Sequence, residues 1–312
     1  MTGRGGSRFA AVLLGLAALV LLPACAEDES VAQRDRGLLA AEMAALQPQR
    51  PGTVDLYAIG FAGDSTEDVF RNEVAYLDAL ASNRFDARGV VTLVNHFDSL
   101  TSTPRPLATL ENLRLALAGI GEAMDPDEDL FLLYLTMHGT EDHELVVTFP
   151  PLLEEWITPP QLRAALDDAG IRNRVVVISA CFSGGFIPDL RDARTLLITA
   201  ARADRASFGC GSESDATYFG RAWLVDGLNR SASFVDAYDI AVGEISQWER
   251  EDGETPSLPQ IEVGAEIARR LQLWRSQLEP GAAVPYPYDA DADEAPDAAP
   301  HEPAPAARRE SS

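Results

Sequence analysis

From Thr53 onward the chain alternates short apolar runs with stretches of helical periodicity. Val54 to Phe61 reads as a strand that ends in a Gly-containing loop. Glu67 to Ser82 follows, with Val69, Phe70, Val74, Leu77 and Leu80 near helical spacing. Gly89 to Val94 is a short β-branched strand, and Thr109 to Met124 places Leu110, Leu113, Leu117 and Ile120 on one helical stripe. Leu130 to Leu135 is continuously apolar, the pattern of a strand buried on both faces. Pro159 to Gly170 reads as a helix with Thr158 as N-cap and Gly170 at its stop. Val175 to Ile178 forms a second central strand, Thr195 to Ala201 a third, and helices follow at 218–228 and 234–250. Strands alternating with helices imply βαβ crossovers and a mostly parallel sheet. In such sheets, chemistry gathers beyond the carboxyl ends of the strands.

The flanks read differently. Arg4 and Arg8 precede an apolar stretch from Phe9 to Leu22, which is short for a membrane span and stops at Leu22-Pro23-Ala24-Cys25. Leu, a small residue and then Cys in that register resemble the lipobox of bacterial lipoproteins. The resemblance implies removal of residues 1–24, lipid on Cys25, and, from Ala26 at the next position, the periplasmic face of the outer membrane. Residues 25–52 read as a tether with a weakly helical stretch at 37–46. The folded domain is expected over 53–275, with a disordered Pro-, Ala- and acid-rich tail over 276–312. The net charge of −24 argues against nucleic acid as a partner.

Two central strands end in reactive residues: Tyr134-Leu135-Thr136-Met137-His138-Gly139 and Ile178-Ser179-Ala180-Cys181-Phe182-Ser183-Gly184-Gly185. A thiol at a strand end, ahead of a Ser-Gly-Gly turn and a helix N-terminus, sits where the nucleophilic thiolate is favoured. Gly139 can offer its N–H, with that of Cys181, to an oxyanion. The competing reading is a Cys181–Cys210 disulfide, natural in an oxidising envelope compartment. The strand-end placement and the His-Gly partner fit chemistry better. His143 and Glu144 beside His138 do not have the spacing of a zinc motif, and His96 reads as a hydrogen-bonded structural residue.

His-Gly and Ala-Cys at strand ends, 43 positions apart (181 − 138), resemble the legumain (asparaginyl endopeptidase) family of caspase-like cysteine peptidases, over about 56–261. The resemblance implies a three-layer α/β sandwich with a six-stranded, mostly parallel sheet. It also implies a cofactor-free endopeptidase that cleaves peptide or protein substrates after Asp or Asn through an acyl-enzyme. Cys181 would be its nucleophile, His138 its base and Arg71 the pocket group that reads the P1 side chain. Two positions depart from the family: Ser179 stands where eukaryotic members carry Glu, and Val69 where they carry Asn. Asp215 is the remaining candidate for an acidic pocket wall. The same acyl-enzyme would serve a transpeptidase, and the departures leave open an inactive, peptide-binding envelope lipoprotein. The oligomeric state is not legible.

Overall fold

The computed structural model describes residues 23–211 and 214–288. In chain order the elements are helix α1 (Pro23–Ala45), β1 (Leu56–Ala62), α2 (Asp68–Arg84), β2 (Gly89–Val94), the single turn α3 (Phe97–Leu100), α4 (Leu110–Ala123) and β3 (Leu130–Thr136). The hairpin β4 (Leu145–Phe149) and β5 (Leu153–Ile157) comes next, then α5 (Pro159–Asp168), β6 (Arg174–Ser179), a tight turn at Ser183–Phe186, α6 (Ile187–Leu190) and β7 (Thr195–Thr199). A wide helical turn (Gly220–Gly227), α7 (Leu228–Arg230), α8 (Phe234–Asp252), β8 (Gln260–Val263) and α9 (Ala265–Gln277) complete the fold.

The main sheet has the order β2-β1-β3-β6-β7-β8, with every neighbour parallel except the β7–β8 pair. The expected six-stranded, mostly parallel sheet is therefore present. Strand alternation divides the core. Phe131, Leu133 and Leu135 of β3 face α4, α5 and the α1 side chain Leu39, whereas Leu130, Leu132 and Tyr134 face α2, α8 and α9. Truncating one such fully buried leucine to alanine costs about 2–5 kcal/mol. Local signals hold as well: Thr158 N donates to Gln161 Oε1 (2.9 Å) at the start of α5, and Gly170 closes that helix at φ +69°.

Three expectations change. Residues 25–52 are no simple tether, because α1 packs on α4 and along the open edge of β2. Asp35 accepts from Leu107 N (3.1 Å) and Asn112 Nδ2 (2.9 Å), Glu42 accepts from Thr92 N (3.2 Å), and Arg34 donates to the Ser99 carbonyl (2.7 Å). The docking is mostly polar, with Leu39, Met43 and Leu46 its main apolar anchors, so periodicity carries little trace of it. The folded part also runs past 275. Residues 281–288 lie along α2, with Gly281 N on Arg84 O (3.0 Å), Tyr76 OH on Val284 O (2.7 Å) and Tyr286 buried. The remaining tail, 289–312, and the leader, 1–22, lie outside the described residues. Finally, β4 and β5 form a separate two-stranded sheet that the hydrophobic pattern does not single out.

The α1 contact carries a pH dependence. Burial pushes the Glu42 carboxyl up to about 7 from an ordinary 4.5. The folded state then holds this proton more tightly than the unfolded chain. The group's contribution to stability is complete below pH 4.5 and is lost as pH rises through 7. Glu42→Gln is expected to melt like wild type near pH 4.5 and a few degrees higher at pH 8. Melting curves at both values check this, and an equal offset at the two would refute it.

Candidate active site

Parallel pairing of β3 with β6 sets Thr136 opposite Ser179. Two residues further along each strand stand His138 and Cys181. Alternation puts Tyr134, Thr136 and His138 on the sheet face that carries α2, and Val177, Ser179 and Cys181 on that same face. The chain ends stay close beyond the last ladder pair. Met137 N donates to Ser179 O (3.3 Å), and a Cβ on Gly139 would overlap the Cys181 carbonyl oxygen. Glycine is required here because another main chain occupies the space. Among the described residues, neither the Gly139 nor the Cys181 N–H is spent on another acceptor.

Each reactive side chain is half-exposed and has a fixed neighbour. The His138 ring meets Phe70 of α2 edge-on, with centroids 5.3 Å apart. The Cys181 sulfur receives Ser207 N (3.3 Å) and lies 3.5 Å from Ser207 O and 3.6 Å from Ser207 Oγ. That amide points at the atom that carries negative charge when the thiol ionises. The turn after Cys181 begins with Phe182 in the left-handed region (φ +56°) and is only a short tight turn. Ser207, rather than the expected helix N-terminus, therefore provides the donor nearest the sulfur. The His143 ring lies over Gly185, where a Cβ would overlap it.

Cys181 and Cys210 are both free thiols, so the disulfide reading is set aside. Cys210 packs with Val69, Phe70 and Val74, and burial pushes its thiol up, leaving it protonated and inert.

The other expected site residues are not gathered around the sulfur. Arg71 forms ion pairs with Asp68 (3.1 Å) and Asp98 (2.8 Å). It lines a cavity of about 150 Å³ with Thr92, His96, Arg105 and Tyr288, and neither Cys181 nor His138 borders that cavity. Phe70 is the α2 residue that faces His138, and the next residue on a helix is turned about 100° away. His96 has the structural role its position suggested: Nδ1 accepts from Asp98 N (3.1 Å) and Nε2 meets Asp68 Oδ1 (3.1 Å). Ser179 is buried, with its hydroxyl 3.2 Å from Thr217 Oγ1. Asp215 is exposed, and its carbonyl accepts from Asn72 Nδ2 (3.1 Å) and Tyr286 OH (2.7 Å).

A carboxylate beneath the site ties these pieces together. Glu73 of α2 is fully buried and accepts from Tyr134 OH (2.8 Å), Thr136 Oγ1 (2.6 Å) and Thr217 N (2.8 Å). Desolvation pushes its carboxyl up, against the pull of those donors. A readable signal existed: Glu73 interrupts the apolar stripe of Phe70, Val74 and Leu77, where a charged residue must find partners. Ser207 has no such signal, because only the return of the loop after β7 brings it to the sulfur.

Comparison with known proteins gives one positive finding. The model of the Peptidase C13 family matches residues 117–269. That span contains β3 to β8 with His138 and Cys181, and leaves out β1, α2 and β2 with Arg71. No curated protein matches the chain.

Proposed function

Over residues 117–269 the chain belongs to the Peptidase C13 family, and it is a cysteine peptidase of the legumain type; from that premise we propose an endopeptidase in which Cys181 and His138 work as nucleophile and base. The observation that carries this reading is the β3–β6 register, which sets 138–139 beside 181 at the carboxyl edge of the sheet. The Cys181 thiolate attacks the scissile carbonyl, and a sulfur–carbon bond forms as the carbonyl oxygen takes the negative charge. The N–H groups of Gly139 and Cys181, left without other acceptors among the described residues, stabilise that oxygen. His138 gives a proton to the departing amine, which leaves an acyl-enzyme. It then draws a proton from water, whose attack releases the acid and restores the thiol.

The substrate is a peptide or protein with Asp or Asn at P1. Peptides bearing an electrophilic ketone after P1 Asp, Asn, Leu or Lys test both halves of the reading. The Asp and Asn probes are expected to add to Cys181 and to leave Cys181→Ala unmodified. Labelling that ignores P1, or that falls on Cys210, would defeat it.

The proposal includes lipid attachment at Cys25. This residue lies ten positions before Asp35 (35 − 25), or roughly 15 Å along a helix at the standard rise. Asp35 docks against Leu107 and Asn112, close to the carboxyl edge of the sheet. The anchor would then stand at the end of the molecule that carries the dyad. Cys25→Ser is expected to leave the membrane fraction, and unchanged fractionation would refute the attachment.

A further inference from the structure

We infer that Arg205 is the residue that reads an acidic P1 side chain, in place of Arg71; the inference rests on the peptidase reading and deepens it. Its main chain is fastened next to the nucleophile, since Arg205 O accepts from Phe182 N at 2.8 Å. Two residues on, Ser207 N donates to the Cys181 sulfur at 3.3 Å. Arg205 closes a turn, its N–H donating to Arg202 O at 3.0 Å, and the chain from 205 to 207 then runs past the nucleophile. Ser207 Oγ is 3.6 Å from the sulfur, so the segment that carries Arg205 is held against Cys181.

Its charge is also available. Arg71 is flanked by Asp68 and Asp98, two carboxylates on one guanidinium. The acid nearest Arg205 is Asp204, which is already held by Arg202 through two bonds of 2.5 and 2.9 Å. The Asp204 carboxylate lies 3.7 Å from Arg205 Nη1, and that nitrogen makes a long bond of 3.5 Å to the Asp204 carbonyl. Arg205 Nε is buried without a hydrogen-bond partner among the described residues. In a chain of 49 acidic and 25 basic residues, a guanidinium with a buried, unpaired Nε on the segment fastened to the nucleophile calls for an anion. A carboxylate matches its planar fork, and an amide, which offers one oxygen and no charge, matches it less well.

The test compares two peptide aldehydes that differ only in P1 Asp or Asn. Each is measured by its protection of Cys181 against iodoacetamide, and by inhibition of cleavage of the matching peptides. Wild type is expected to bind the Asp aldehyde about 10-fold or more tighter than the Asn aldehyde, a typical worth for a charge-assisted bidentate pair. Arg205→Gln should erase that preference and lower kcat/KM for the Asp peptide on the order of 10²-fold, while Arg71→Gln keeps the preference. An unchanged Asp-to-Asn ratio in folded Arg205→Gln overturns the inference, as does loss of the ratio in Arg71→Gln alone. Protection does not require turnover. If Asp-selective protection depends on Arg205 but no peptide is cleaved, the peptidase reading fails and the assignment of Arg205 stands. If neither aldehyde protects an alkylatable Cys181, the assignment fails.

Discussion

Alanine in place of Cys181 is expected to abolish peptide cleavage, a loss on the order of 10⁴-fold or more in kcat, with the fold intact. The thiol is half-exposed, and its contacts are with Ser207. Deleting one sulfur therefore costs little packing but removes the atom that must form the covalent bond. His138→Ala should fall nearly as far, because an acyl-enzyme without a proton donor for the leaving amine does not form at a useful rate. The double variant should be hardly worse than either single one, since nucleophile and base act as a unit and their losses do not add. Steady-state kinetics, with melting temperatures for all three proteins, decide the matter. Folded Cys181→Ala that still cleaves peptide would move the nucleophile elsewhere. Additive losses would argue that the two residues act separately.

Gly139→Ala is the second large effect. The new methyl would overlap the Cys181 carbonyl oxygen and lie 3.2 Å from its carbonyl carbon and 3.3 Å from Ala180 Cβ. Main-chain atoms have no rotamer through which to escape, so the ends of β3 and β6 must part by about 1 Å. A displacement of that size at reacting groups costs about 10²-fold in rate. Overpacking of this kind costs about 1–3 kcal/mol of stability. The expected result is a folded protein with a lowered melting temperature, near-normal KM and kcat down about 10²-fold. Gly185→Ala makes a useful contrast, since its methyl meets the His143 ring and not main chain. Equal activity in Gly139→Ala and wild type would show that residues 139 and 181 need not stay in close register.

The positions of His138 and Cys181 at strand ends were legible because both follow long apolar runs, and such runs in a βαβ chain become central parallel strands. Their pairing was partly legible too, since a single crossover separates them. Arg71 shows where that reasoning stops. Its spacing from the first strand matched a family pattern, but helix rotation sends Phe70 rather than Arg71 toward His138, and two aspartates hold the guanidinium. The reading of residues 25–52 failed for a related reason. The docking of α1 rests on Asp35, Glu42 and Arg34 bonding to main-chain and amide groups far along the chain. Polar residues that look solvated in a sequence are anchored here by partners 50–77 positions away.

By itself the sequence determined local facts: the parallel central strands and the helices between them, which faces are apolar, the cap and stop of α5, and that a Cys and a His-Gly end two central strands. Those follow from side-chain periodicity and backbone preference, which act over a few residues. Only the tertiary structure decided that both thiols are free, that Ser207 rather than a helix end meets the sulfur, that Glu73 joins α2 to β3 and to Thr217, and that two aspartates hold Arg71 while Arg205 Nε has no partner among the described residues. Each of those depends on where a loop returns after a crossover, and that is set by the packing of whole layers, which no short-range pattern records.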